Sequence, residues 1–319
     1  MSDWLVEQGI GEERAIRLDN DHVTAAAIRW PGGLETGLVA DALLVSRQKG
    51  SARGTARFPG EEEALVDRLP KDAAEGATLR LAVTRPAIAE RGRAKLAQAR
   101  PTDDAPRPAP TLAETLGATI VPRFPHSAWE DIAEDAWDAH HPFAGGALHF
   151  SPTPAMTLVD VDGAGRPHDL ALAAANAIGP ALARFDIGGS VGVDFPTLPD
   201  KAGRKAVDEA LGTALADYDC ERTGMNGFGF VQIVARLARP SILHRFQLQP
   251  ALAAARLLLR RAELVAEPGA ILLTAPPAVL SPLRPEWLEE LARRTGRDIR
   301  TTADPALAPR GAFAQAVAR

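Results

Sequence analysis

Apolar residues in the first 85 positions come in short runs that alternate with polar ones, the period of half-buried strands. Trp4-Leu5-Val6, Ala15 to Leu18 and Val23 to Trp30 are broken by Gly9, Gly11 and Asp19-Asn20-Asp21, which predicts a small β-meander closed by Pro31-Gly32-Gly33. Further short runs follow at Leu38–Val45, Thr55–Phe58, Glu63–Val66 and Thr78–Thr84. Ala87 to Ala99 carries Arg91, Arg93 and Lys95 and is expected as a basic helix or loop. Pro101 to Pro110 holds four prolines among charged residues, so it is expected as an extended linker and a domain boundary.

Beyond the linker the period lengthens. Ser127-Ala128-Trp129-Glu130 has the form of a capping box, and Trp129, Ile132, Ala133, Ala136 and Trp137 fall on one helical face. His140-His141 would end that helix as a cation at its C-terminus. Ala147–Phe150 and Met156–Val161 predict a hairpin around Pro152-Thr153-Pro154. Helices are expected over Leu170–Phe185, despite Pro180, and over about Lys201–Asp217, with a strand or helix at Phe228–Leu237. The last 75 or so residues predict a helix over Leu248–Val265, a strand Ala270–Thr274, a helix Glu286–Thr295 and strands near 298–302 and 312–318. The fold class is therefore α/β plus a β-barrel: short strands with basic turns over 36–100 match an OB-type barrel, alternating strands and helices follow, and a small α+β domain ends the chain.

Two segments carry the candidate chemistry. Thr157-Leu158-Val159-Asp160-Val161-Asp162-Gly163 and Gly188-Gly189-Ser190-Val191-Gly192-Val193-Asp194-Phe195 are apolar runs that end in acid. Strand alternation points Asp160 and Asp162 the same way, and a neighbouring strand bringing Asp194 alongside would leave carboxylates converging. Such close like charges call for a cation. Oxygen ligands without sulfur or imidazole suit Mg²⁺, with Mn²⁺ as the second choice. Metal-assisted phosphodiester chemistry is the leading expectation.

Composition narrows the field. A chain of 319 residues with 46% hydrophobic and 24% charged positions is an ordinary globular sequence of two or three domains. No apolar run approaches the length of a membrane span, and Met1 to Glu7 lacks the marks of a signal peptide, so a cytoplasmic protein is expected, without a membrane partner. Cys220 is the single cysteine, which excludes intrachain disulfides and cysteine-based zinc sites and makes a buried structural thiol the expectation. The formal net charge is −5, but residues 36–100 hold 12 Lys+Arg against 8 Asp+Glu, a local excess of +4. That segment is compatible with a nucleic-acid-contacting module, with Arg47, Lys49, Arg53 and Arg57 as backbone contacts. No P-loop, dinucleotide glycine fingerprint or Ser-His-Asp frame is present. His149 and His168 are expected as surface or core hydrogen-bonders.

The two acidic segments and the order of parts resemble the RNase E/G endoribonuclease family. Thr153-Pro154-Ala155-Met156-Thr157-Leu158-Val159-Asp160-Val161-Asp162 is similar to that family's first acid strand, and Asp186-Ile187-Gly188-Gly189-Ser190-Val191-Gly192-Val193-Asp194-Phe195 to its second. Phe228-Gly229 followed by Arg239-Pro240-Ser241 resembles a third block. The resemblance implies an RNase H-like subdomain over 1–35 and 111–155, an inserted OB-type RNA-binding barrel over 36–100, the linker 101–110, a DNase I-like catalytic subdomain over 156–240 and a small domain over 241–319. It implies Asp160 and Asp194 as metal ligands with Asp162 assisting, and cleavage of single-stranded RNA by metal-activated water attack in RNA processing. RNA contacts would come from Arg47, Lys49, Arg53, Arg57, Phe58 and Arg239. The family's zinc-linking Cys-Pro-x-Cys is missing, so no zinc and no zinc-linked dimer is expected, and the oligomeric state stays open. The segment that senses an RNA 5′-monophosphate is missing or replaced by the linker, so 5′-end sensing should be reduced or absent. The barrel's usual stacking aromatics correspond to Ala56 and Leu65, leaving Phe58 as the nearby ring.

Two other readings stand beside the nuclease. One is an RNA-binding protein of the same fold that has lost efficient catalysis. The other has the acids merely capping strands or pairing with Arg184 and Arg204.

Overall fold

In the computed structural model, which describes residues 3–125 and 128–318, the expected meander is strands β1 (Asp3–Gly9), β2 (Glu12–Asp19) and β3 (His22–Arg29). Leu5, Ile16 and Ala26 form one cross-strand row that faces the main core. The barrel strands β4 (Val39–Arg47), β5 (Gly54–Arg57), β6 (Glu63–Val66) and β7 (Thr78–Arg85) follow the short runs of the sequence.

The segment expected as a basic helix or loop is strand instead. β8 (Ile88–Glu90) and β9 (Arg93–Lys95) pair as a hairpin, and β10 (Ala97–Pro101) closes the barrel in the order β10-β6-β5-β4-β7. The reason is period-2 burial: Ala97 and Ala99 point inward beside Ala56, Ala64 and Leu81, while Gln98 and Arg100 point out. So many alanines suit a narrow five-stranded interior, where larger side chains would not fit.

The Pro-rich segment after β10 lacks regular structure, as expected, but it is laced to the barrel. Val39 and Arg107 exchange backbone hydrogen bonds at 3.0 Å in both directions. The chain then forms α1 (Leu112–Leu116), capped reciprocally by Thr111 and Glu114, and β11 (Thr119–Val121), which runs parallel to β1 and completes a four-stranded sheet. Helix α2 (Ala128–Asp138) buries Trp129, Ile132, Ala133 and Ala136, as its spacing predicts. The Ser127 cap lies outside the described residues. Ala139, in the left-handed region at φ 50°, ends the helical stretch, so His140 and His141 lie in a strand rather than at a helix terminus.

That strand, β12 (His140–Phe143), begins a six-stranded sheet. It continues with β13 (Gly146–Pro152), β14 (Thr157–Gly163), helix α3 (Pro167–Phe185), β15 (Gly189–Asp194), helix α4 (Lys201–Ala214), β16 (Cys220–Arg222) and β17 (Phe230–Ala235). The strand order is β12-β13-β14-β15-β17-β16. The β14–β15 pair is parallel, because α3 carries the chain back across the sheet between them. Helices α3 and α4 pack together, and the core they share with the sheet includes Val159, Val161, Val191 and Val193. The alternate residues Leu158, Asp160, Asp162 and Asp194 are exposed on the opposite face. Pro180 sits within α3, which runs unbroken through it.

The helix expected over Leu248–Val265 is α6 (Pro250–Glu263), with Pro250 at its first position, and a further helix that the spacing did not predict, α5 (Ile242–Leu248), precedes it. They lead to β18 (Ala270–Ala275), α7 (Pro277–Leu280), α8 (Pro285–Thr295), β19 (Ile299–Ala303) and β20 (Phe313–Val317), with strand order β19-β18-β20. Buried Arg260 on α6 binds Glu7 of β1 at 3.2 Å and also pairs with Glu130 of α2, tying this end to the meander. The architecture is thus mixed α/β with a closed five-stranded barrel. Among the described residues no helix is long and apolar enough to cross a membrane. Cys220 is half-buried, and burial pushes its thiol pKa up, in keeping with an unreactive thiol.

Candidate active site on the open sheet face

Asp160, in the middle of β14, is the register partner of Asp194, the last residue of β15. Adjacent strands are about 4.8 Å apart, so two carboxylates leave neighbouring backbone positions on the same exposed face. The row extends in both directions: His149 lies opposite Asp160, His140 opposite His149, and Phe230 opposite Asp194. The His140 and His149 rings sit with centroids 5.2 Å apart. Five side chains from five adjacent strands of the six therefore form one row.

Neither Asp160 nor Asp194 makes a side-chain hydrogen bond or ion pair with another described residue. The cations that could have neutralised them are engaged elsewhere. Arg184 binds Asp135 at 2.7 Å, and Arg204 donates to the carbonyls of Leu198 and Pro199. Two exposed, unpaired carboxylates fixed this closely repel each other. Mg²⁺ is commonly held by one or two carboxylates with water filling its other positions, so this pair fits such an ion.

Asp162 shares the face but sits one pleat further on, beyond the end of β15 and opposite Ala147. Its Oδ1 accepts the Gly163 N–H at 2.8 Å. Among the described residues no group of three or more His, Cys, Asp or Glu is placed to hold one ion. The acids are thus a close pair plus an outlying third rather than a gathered trio.

The loop before β17 supplies an aromatic rim. Asp208 on α4 accepts from Arg222 Nη1 and the Met225 N–H, both at 3.0 Å, and Asn226 Oδ1 accepts the N–H groups of Phe228 at 2.9 Å and Phe230 at 3.1 Å. Phe195, the residue after Asp194, donates its N–H to the Gly229 carbonyl at 3.1 Å. Gly229 has φ +89°, and a Cβ there would stand 2.4 Å from the Phe195 carbonyl oxygen, so the Phe-Gly pair needs its glycine. Phe228 is left 82% exposed beside the acid-bearing strand end. The Phe230 ring lies over Gly192, where an added Cβ would come within 2.5 Å of it.

The Arg239-Pro240-Ser241 half of the third motif block is engaged in structural contacts. Arg239 makes a bidentate pair with Asp186, the left-handed cap of α3. Burial pushes the Asp186 carboxyl pKa up, while Arg239 pulls against that shift. Ser241 caps α5 by accepting the His244 N–H at 3.0 Å, and its Oγ lies 2.8 Å from His244 Nδ1. Arg239, expected as an RNA contact, therefore has its guanidinium committed to Asp186.

Barrel residues depart further from expectation. Phe58 is 3% exposed inside the barrel core, so its ring is closed to any base. Ala56 is also fully buried, and Leu65 alone of the expected stacking positions faces out, 43% exposed. Arg47 donates to the carbonyls of Lys71 and Ala73, Arg53 pairs with Asp67 at 3.0 Å, and Arg57 pairs with Glu63 at 3.1 Å. Lys49 is exposed at a turn. Exposed ion pairs such as those of Arg53 and Arg57 are weak.

His149 and Phe228 carry more of this site than their sequence reading assigned them. The hairpin gave the means to place His149: Pro152 pairs with Thr157, and counting outward from there sets His149 against Asp160. The sequence argument for hard oxygen ligands assumed no imidazole nearby, and His149 departs from it. No family model matches the chain, and no curated protein matches it either.

Proposed function

We propose that this protein is a metal-dependent endoribonuclease acting on single-stranded RNA, of the RNase E/G type. On this reading the four-stranded sheet with α2 is an RNase H-like part, the closed barrel is an OB-type RNA-binding module, and the six-stranded sheet is a DNase I-like catalytic part. The observation that carries the proposal is the in-register pairing of Asp160 with Asp194 on adjacent parallel strands, on the face that the helices leave open.

Asp160 and Asp194 would hold the ion, and Asp162 would act from one pleat away through the water shell. Bound Mg²⁺ (or Mn²⁺) would supply charge neutralisation at the scissile phosphate and a lowered pKa for an attacking water. Phe228 offers a flat exposed ring on which a base can stack, and stacking of this kind is tolerant of sequence. Lys49, with Arg53 and Arg57 exchanging partners, would guide the RNA backbone along the barrel, giving a salt-sensitive and loosely sequence-selective grip.

The test is cleavage of a fluorescent single-stranded RNA with Mg²⁺ and with EDTA, for the native protein and for Asp194→Asn. Metal-dependent cleavage lost in the variant supports the proposal. RNA binding with no turnover at any Mg²⁺ or Mn²⁺ concentration would favour the RNA-binding protein without efficient catalysis.

A further inference from the structure

A cavity lies away from the acid pair, between the barrel, the loop after β3 and helices α5 and α6. It encloses about 710 Å³, within the range of small-molecule sites. Arg245 and Arg256 both stack on the Trp30 ring that lines it, their guanidinium carbons 4.3 and 4.1 Å from the ring centroid. Arg284 stands at the same cavity wall, over Trp287 at 5.2 Å.

Among the described residues these arginines form no ion pair, although Glu12 and Glu35 lie near enough to favour the charged forms of Arg256 and Arg245, and Glu35, Glu62 and Glu63 share the cavity wall. The nearby acids are taken: Glu35 binds Arg29, and Glu12 binds Arg14 and the Trp30 indole N–H. Arg245 donates Nη1 to Gln249 at 3.1 Å, but its Nε is buried without a partner among the described residues. Arg256 uses Nε and Nη1 on the carbonyls of Gly11 and Leu252, which leaves Nη2 over. Burial, and then the charge of the other arginine, lowers the pKa of Arg245 to about 10; burial does the same for Arg256, with Glu12 opposing the shift and Arg284 adding to it. A buried donor left unmade is costly, and neighbouring buried cations add to that cost. An anion with several acceptor oxygens would relieve both.

We propose that this cavity is a binding site for a small phosphate-bearing ligand, held through its phosphate by Arg245, Arg256 and Arg284, with Leu34, Leu96 and Leu252 forming an apolar wall for the remainder. A doubly charged tetrahedral oxyanion matches three guanidinium groups better than a singly charged carboxylate does, and planar donor forks suit phosphate geometry. The site is separate from Asp160 and Asp194 and does not depend on any nuclease activity.

The experiment is titration calorimetry of the full chain with inorganic phosphate, with acetate as control. Two variants accompany it: Arg245→Met, which keeps an unbranched chain over Trp30, and Arg284→Gln on the exposed rim. The expected result is phosphate binding at or below about 1 mM, at least tenfold weaker in Arg245→Met, severalfold weaker in Arg284→Gln, and absent for acetate. Should Arg245→Met fail to fold, the Arg284→Gln comparison carries the test alone. No phosphate binding by the native chain, equal binding by the variants, or acetate binding as tightly as phosphate would overturn the assignment.

Discussion

Arg239 and Asp186 clasp one another through two parallel hydrogen bonds, joining the end of α3 to the chain just after β17. The carboxylate is half-buried and pays a desolvation penalty that the guanidinium offsets. Arg239→Ala should therefore destabilise the fold by about 2 kcal/mol, since it strands a largely dehydrated charge. The double variant Asp186→Asn with Arg239→Ala should recover part of the loss. Urea denaturation measures both; an unaltered midpoint in Arg239→Ala would mean that the pair is idle.

Gly229 sets the shape of the rim. Gly229→Ala places a Cβ 2.4 Å from the Phe195 carbonyl at φ +89° and should cost about 2 kcal/mol or more. Gly227→Ala, where a Cβ meets nothing within 4 Å, should stay within about 0.5 kcal/mol of the native protein. Thermal melts of the two compare like with like.

Phe228 touches little of its own protein. Phe228→Ala should leave stability unchanged while weakening single-stranded RNA binding by about 1–3 kcal/mol, the worth of one stacked base. Fluorescence anisotropy with a short labelled RNA reads the affinity. Unchanged binding would remove Phe228 from the interface.

His244 gives the fold a pH dependence. Burial, with Lys95 and Arg245 nearby, lowers its pKa from 6.5 to about 4, and its Nδ1 is within hydrogen-bond distance of the Ser241 hydroxyl, which the neutral ring can accept. Its folded pKa is depressed, so the unfolded chain takes up a proton first. The stability is complete above about pH 6.5 and is lost as pH falls toward 4, at most about 3 kcal/mol over that window. Urea unfolding at pH 7 and pH 4.5 should show this drop in the native protein and a smaller one in His244→Gln. Equal drops would rule His244 out as the source.

The strands that deliver the acids were legible because each is an apolar run ending abruptly in carboxylate, and burial of one face leaves little freedom in such a register. The meander and the first four barrel strands were legible for the same reason. The closing strand β10 was not: Ala97-Gln98-Ala99-Arg100 has the alternation but so little apolar bulk that the basic residues before it dominated the reading. Strand parity, rather than the family resemblance, places Phe58. Thr55 and Arg57 point outward, Ala56 inward, so Phe58 follows Ala56 into the core. The arginines of the barrel were found as residues but not as partners, since Asp67, Glu63 and the carbonyl of Ala73 reach them only through the folded turn geometry. Asp162 falls outside the pair because β15 stops at Asp194, two residues short of the position opposite it.

The central claim is that Asp160 and Asp194 act as one ion-holding pair in RNA cleavage, and single-turnover cleavage of single-stranded RNA across a Mg²⁺ titration tests it most directly. Asp160→Asn and Asp194→Asn should each fold normally, being exposed, yet each lose cleavage by about a hundredfold or more, corresponding to roughly 3 kcal/mol of lost stabilisation. Full Mg²⁺-dependent cleavage in either variant would contradict the account.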